Sequence, residues 1–208
     1  MRIGDDEMTY YKVLNLDGTS CNGGTYKWSL PRNGQPGEWA ALITDIEPCK
    51  RGYHVCERGQ LVQWLGPVIY ECEVAVGFIE QKDKCVVRQA RLVRLIGNWN
   101  DRTARLFACD CADEALKLVK QPDPRSIEVV RMARLFAVGE ASLEQLDAAW
   151  DAAWDAARAA AWDAAWDAAG SAAEADAWAA GAAAGAAAWV AARKWQISRL
   201  VEMLEEPK

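Results

Sequence analysis

Between Ala148 and Ala192, 27 of 45 residues are alanine, and the tetrad Ala-Ala-Trp-Asp occurs four times there, at 148–151, 152–155, 160–163 and 164–167. No other feature of the chain limits its fold so strongly. Alanine has the highest helix propensity, and its side chain is too small to build a core alone. The stretch therefore predicts helix whose burial is supplied by tryptophan. Four residues advance a helix by about 400°, so Trp150 and Trp154 lie only about 40° apart, and Trp162 and Trp166 continue round the same side. Each indole is followed by an aspartate, so Asp151, Asp155, Asp163 and Asp167 form a parallel acidic ridge. One reading is a packing row with a solvated ridge behind it. A second is an interaction face, since indoles beside carboxylates suit a cationic or aromatic ligand. Imitation of a nucleic-acid phosphate backbone by the ridge is a third.

The charge is divided along the chain. Residues 1–125 carry 17 Lys/Arg and 17 Asp/Glu, while 126–208 carry 7 and 13, so the whole net charge of −6 sits in the second part. Binding to nucleic acid in general needs a cationic face and is not expected here. The N-terminus, Met1-Arg2-Ile3-Gly4-Asp5-Asp6-Glu7, is acidic and lacks the apolar stretch of a secretory signal. The longest charge-free apolar run, Ala177 to Ala192, has 16 residues, against about 20 needed to span a bilayer. No membrane partner is therefore expected. Seven cysteines form no regular framework, and the cytoplasm, with its reduced thiols, is the expected compartment.

Residues 8–97 predict a small mixed α/β domain. Tyr10–Leu14, Tyr26–Leu30, Gly52–Cys56, Val68–Val76, Cys85–Val87 and Ala90–Ile96 read as strands. Asn15 to Gly18 and Cys21 to Gly24 read as turns, and Pro31 to Gly37 as loop. Leu61–Leu65 is a short helix closed by Gly66-Pro67. From residue 98 to 208 the period is helical. A helix opens at Asp101 and breaks at Gln121-Pro122-Asp123-Pro124. A second, capped by Asp123 or Ser126, runs from Ile127 to Val138 and stops at Gly139. A third opens at Ser142 with Gln145 three residues on, a capping-box spacing. Gly170-Ser171 reads as a break in the repeat helix, and Ala104–Ala108 recurs as Ala133–Ala137, both Ala-Arg-Leu-Phe-Ala. The expected fold is thus α+β: a small N-terminal mixed β-sheet domain followed by an all-helical Ala/Trp-rich C-terminal region.

Candidate chemistry is sparse. Cys49, His54 and Cys56 form C-x4-H-x-C, with Cys21 or Cys72 as possible fourth zinc ligands, but the spacing matches no standard zinc module. There is no phosphate loop, no G-x-S-x-G and no H-E-x-x-H, and His54 is the one histidine. No resident metal or cofactor is implied. Cys109 and Cys111, two apart on a helix, read as packing. Glu71 and Glu73 share a strand face and make a candidate carboxylate pair. Arg88, Arg91 and Arg94 belong to the chain's one cationic stretch, which also holds Lys82, Lys84, Arg102 and Arg105. By parity Arg88 and Arg94 share a face and Arg91 lies opposite. They are the candidate anion-binding residues, or else salt-bridge partners of the acidic helices.

The run Cys49-Lys50-Arg51-Gly52-Tyr53-His54-Val55-Cys56, followed by Leu61-Val62-Gln63-Trp64, Ile69-Tyr70-Glu71-Cys72-Glu73 and Val86-Val87, resembles a small domain common in phage and prophage genomes. Its pattern is C-x-x-G-[Y/F]-H-x-C, a short helix and a strand with Y/F-E-x-E, and it covers roughly residues 9–97. Arg102 to Ala112 with the alanine-rich tail is similar to helical tails of bacterial and phage proteins. More remotely, the strand–helix–strand order from Gly52 to Val76 is similar to the ADP-ribosyltransferase fold, which would place NAD near His54 and Glu73. The chain shows no full H-Y-E or R-S-E set.

The resemblance implies a phage-type accessory protein that binds a host defence component or sequesters its nucleotide-type signal in the host cytoplasm. The candidate ligand-binding residues are His54, Arg88, Arg91, Arg94, Trp150, Trp154, Trp162 and Trp166. The alternatives are an ADP-ribosyltransferase-like enzyme and a structural or oligomerisation protein. Seven tryptophans between Trp150 and Trp195 exceed what a thin helical hairpin covers, and Gly181 and Gly185 allow close helix approach. A homodimer is the expected state.

Overall fold

The computed structural model describes residues 9–75, 77–118, 120–154 and 175–205, with the backbone alone over 175–189. The chain divides into two compact units: one holds the residues up to Asn100 together with those from Leu200 onward, the other Asp101–Arg199. The architecture is α+β, a sheet unit followed by helices.

The sheet unit contains β1 (Tyr10–Leu14), β2 (Tyr53–Glu57), a 3₁₀ helix (Arg58–Gln63), β3 (Val68–Val74), β4 (Phe78–Glu80), β5 (Cys85–Val87) and β6 (Ala90–Leu95). The strand order is β4-β5-β2-β1-β3-β6, and every pairing between these strands is antiparallel. The central strand β1 is apolar on both faces: Tyr10 and Leu14 are buried on one, Tyr11 and Val13 on the other. Ile69, an apolar residue on the otherwise polar side of β3, is fully buried for the same reason. A sheet covered on both faces reads as continuous apolar runs rather than strict alternation.

Three local readings need correction. Tyr26–Leu30 is not a strand; it keeps one isolated bridge, Thr19 with Lys27, although Trp28 is buried in the core. Its alternation reflects a segment lying on the sheet rather than hydrogen-bonded into it. Strand β4, Phe78-Ile79-Glu80, has no counterpart in the sequence reading: at three residues it is too short to show an alternation, and its Phe and Ile are exposed rather than set against the core. The segment read as a helix over Leu61–Leu65 is a 3₁₀ turn that begins earlier, at Arg58, where Glu57 and Gln60 form a capping box. Along the outer edge of β6, Gly37, Ala40 and Ile43 donate backbone N–H groups to Leu92, Ala90 and Arg88 at 2.8–3.0 Å. An irregular segment thus blunts an edge that would otherwise template aggregation.

The helices are α1 (Asp101–Leu116), α2 (Pro124–Val138), α3 (143–154) and α4 (Ala175–Glu205). Asp123 caps α2 by accepting from the Arg125 N–H at 2.8 Å, and Gly139 closes it in the left-handed conformation. Ser142 and Gln145 form the reciprocal capping box that opens α3, at 2.8 and 3.3 Å. The two Ala-Arg-Leu-Phe-Ala copies meet: the Arg105 guanidinium of α1 lies 4.8 Å from the Phe136 ring of α2. Among the described residues of Asp101–Arg199 the buried side chains are few, Phe107, Cys109 and Met132. Asp110 bridges the helices instead, receiving Arg134 of α2 and Arg199 of α4, each at 2.8 Å. Among the described residues no helix is long and apolar enough to cross a membrane.

Candidate functional site

The site originates in a fault between two strands. β1 pairs with β3 along all five of its residues, Tyr10↔Cys72 through Leu14↔Val68. Against β2 it keeps only Tyr10↔Glu57 and Tyr11↔Cys56. Beyond that point the ladder stops. β2 instead continues its pairing with β5, Tyr53↔Val87 through Val55↔Cys85. The His54 carbonyl, left without a strand partner on the β1 side, accepts from the Lys12 ammonium at 2.8 Å. A side chain thus replaces a backbone donor, which satisfies a polar group that is costly to leave unpaired.

A cleft of about 650 Å³ lies at this split, lined from β1, β2 and the loops 20–28 and 43–52. One wall is aromatic. Tyr26, Trp28 and Tyr53 form a triangle of edge-on rings with centroids 5.1–5.4 Å apart. Trp28 is fixed by donating to Ser20 Oγ at 3.0 Å, and Tyr53 by donating to the Ala41 carbonyl at 2.9 Å. Tyr26 stays partly exposed at the mouth. Burial, with Tyr26 beside it, pushes the Tyr53 hydroxyl up to about 12. At the other side Lys84 lies 4.9 Å from the Trp64 ring centroid.

The charge of the lining is one-sided. Lys12, Lys50, Arg51 and Lys84 contribute to it, and no described carboxylate does. The carboxylates that answer three of these cations, Glu47, Asp45 and Asp83, stand just outside the lining, beside Lys50, Arg51 and Lys84. Gly52 holds the turn that presents Lys50 and Arg51. It has φ of +126°, and a Cβ there would stand 2.6 Å from Val86 Cγ1, so only glycine fits. This accounts for the glycine within the Cys49–Cys56 run.

His54 lines the cleft, but its Nε2 is occupied by the Cys49 backbone N–H at 3.0 Å, so the neutral ring carries its proton on Nδ1. Burial and the nearby ammonium groups of Lys12 and Lys84 hold the imidazole below the ordinary histidine value. Cys49 is exposed and receives Lys84 Nζ on its sulfur at 3.3 Å, whereas Cys56 is buried and its thiol is pushed up to about 12. Among the described residues no three His, Cys, Asp or Glu side chains are arranged to hold a metal.

The arginines of β6 sit elsewhere. A bulge opposite Glu71 and Cys72 leaves Val93 as an extra residue, so Glu71 faces Arg94 and Glu73 faces Arg91. The extra residue resets the parity of the strand. Arg91 and Arg94 therefore share one face, and the sequence expectation that they oppose each other is corrected. Arg94 pairs with Glu71. Arg91 pairs with Glu73 at 2.5 Å and stacks on Trp39 at 4.8 Å. Arg88 is exposed beside Gly77. None of the three arginines lines the cleft, nor does Glu73, so His54 and Glu73 are not brought together.

In the helical unit Trp150 and Trp154 are 60% and 62% exposed, so neither is a core residue of its unit. Trp162, Trp166, Asp155, Asp163, Asp167 and the Gly170-Ser171 break lie outside the described residues. Cys109 is buried and Cys111 half-buried, both with thiols raised by burial. A second hollow of about 660 Å³ is lined by Asp110, Asp113, Glu114, Lys117, Trp195 and others, but its charges are already paired within the unit.

Of the candidate ligand-binding residues read from the sequence, among the described residues His54 alone lines the cleft, and Lys12, Trp28 and Tyr53 were not singled out as ligand-binding. The available signal was a single lysine inside the apolar run Tyr10-Tyr11-Lys12-Val13-Leu14. No protein-family model, no curated protein and no solved structure matches this chain.

Proposed function

We propose that this chain is a phage-type accessory binding protein that holds a nucleotide-type small molecule in the cleft of its sheet unit. The observation that carries the reading is the lining itself: three rings beside four cationic groups, with no described carboxylate. Tyr26, the exposed ring of the three and backed by buried Trp28 and Tyr53, offers a face for a nucleobase, and the cations match phosphate, as concave sites for such ligands require. Held in this way, a host defence signal is withdrawn from its receptor in the host cytoplasm, and no covalent step is needed. Occupied Nε2 on His54 and an ion-paired Glu73 both favour binding over transfer chemistry. Exposed Trp150 and Trp154 favour a homodimer, in which a second copy covers apolar rings that one chain leaves open.

Native mass spectrometry of the full chain isolated from its host tests the proposal. The expected result is a complex heavier than the polypeptide by one small anionic molecule, absent in Trp28→Ala. A bare polypeptide mass from the unmodified chain contradicts it. The same spectrum reads the dimer.

A further inference from the structure

Three of the four cleft cations lean on neighbouring groups. Lys50 reaches Glu47 at 2.7 Å, Arg51 reaches Asp45 at 3.0 Å, and Lys84 reaches Asp83 at 3.7 Å and the Cys49 sulfur at 3.3 Å. Lys12 differs. Among the described residues its Nζ has the His54 carbonyl at 2.8 Å and the Trp28 ring at 5.5 Å, and no carboxylate within ion-pairing distance. An ammonium has three donors, so two remain after the bond to His54. Burial depresses the Lys12 amine below the ordinary lysine value. The groups set against that depression are the thiols of Cys72, Cys56 and Cys21, each raised by its own burial and neutral near pH 7. They supply no counter-charge.

A desolvated ammonium without a counter-ion is costly in a fold. It becomes favourable when an anion completes it, because a charge-assisted hydrogen bond in a low-dielectric cleft is among the stronger polar contacts. The position also suits one kind of molecule. Nζ sits where β1 and β2 part and 5.5 Å from the centroid of Trp28, one corner of the aromatic triangle. An anion on Nζ is thus within one small molecule's reach of a ring seated against that wall.

We propose that Lys12 is the anchor of the cleft, taking the phosphate of a nucleoside-monophosphate-type ligand in the gap between β1 and β2. This rests on the binding reading above and deepens it by assigning the specificity-determining residue. Lys50, Arg51 and Lys84 then act as a screened cationic lip that steers the ligand inward, while Lys12 separates a phosphorylated ligand from its neutral nucleoside.

Isothermal titration calorimetry on the full chain, with AMP and adenosine as probes, tests the assignment. The unmodified protein is expected to bind AMP at least about tenfold more tightly than adenosine, the scale of one charge-assisted bond. Lys12→Met brings the ratio of the two affinities to about one, whereas Arg88→Met, at an exposed residue outside the cleft, keeps the preference. Equal affinity for the two probes, or a preference that survives Lys12→Met, overturns the anchor and leaves the cleft reading standing. Absence of binding by both probes overturns the two together. A measurement free of substitutions guards against a misfolded variant: the ¹⁵N ammonium resonance of Lys12 shifts on adding AMP and stays in place with adenosine. A resonance that ignores AMP overturns the anchor.

Discussion

The two units are held together by different physics. In the sheet unit, burial dominates: Leu14, Val55, Leu61, Ile69, Val86 and Leu92 are all fully enclosed. Among the described residues of the helical unit few apolar side chains are buried, and Asp110, gripped by Arg134 and Arg199, does much of the joining. Alanine content sets the expectation for such helices. Each methyl removes little area from water at about 25 cal/mol per Å², so alanine-rich helices form readily yet gain little by packing. A concave site needs walls that do not yield, and a twofold-covered sheet provides them. The cleft occurs in the sheet unit, where the β1–β2 ladder stops after two residue pairs.

The largest effect is expected from the sheet core. Leu92→Ala removes a fully enclosed side chain, and loss of about 3 kcal/mol is expected from transfer and cavity together. Urea unfolding followed by tryptophan fluorescence measures it, and a loss below that of any helical-unit substitution would break the comparison. Next comes Asp110→Asn, which takes one carboxylate from both Arg134 and Arg199, while Arg134 keeps its pair with Asp113 at 2.6 Å. A loss of about 2 kcal/mol is expected, restricted to the helical unit and reduced by salt, since the arginines are partly open to solvent. Hydrogen exchange resolved by residue distinguishes the units; protection lost equally in β1 and α1 would argue against separate cores.

The smallest effect belongs to His54. Its folded-state value lies below that of a free imidazole, so as pH falls the unfolded chain takes up the proton first. The stability tied to His54 is complete above about pH 6.5 and is lost as pH drops from there toward the depressed folded value. Because the chain has one histidine, His54→Gln should flatten the unfolding-midpoint curve between pH 7 and 5. An unchanged slope in that variant would assign the acid sensitivity to carboxylates.

Much of the fold was legible because its signals are local. Asp123, Gly139 and the Ser142–Gln145 pair marked helix ends through capping chemistry that involves residues no more than a few positions apart. Runs such as Val68–Val74 announced strands by apolar and β-branched content. The site was much less legible, since it depends on where two distant strands stop pairing. Nothing near Lys12 in sequence shows that its partner is the His54 carbonyl, 42 positions away. Likewise, one bulged residue, Val93, moved Arg94 to the face of Arg91, and parity counting has no access to a bulge. β4 is only three residues long, too short for its Phe78-Ile79 pair to show a period.

The central claim is that binding resides in the sheet unit's aromatic cleft and not on the tryptophan row of the helices. Fluorescence-independent calorimetry with AMP, comparing Trp28→Leu with the double substitution Trp150→Leu and Trp154→Leu, tests it most directly. The account predicts that Trp28→Leu abolishes measurable binding while the double variant binds as the unmodified chain does. Binding retained by Trp28→Leu and lost by the double variant would contradict it and place the ligand on the helical repeat.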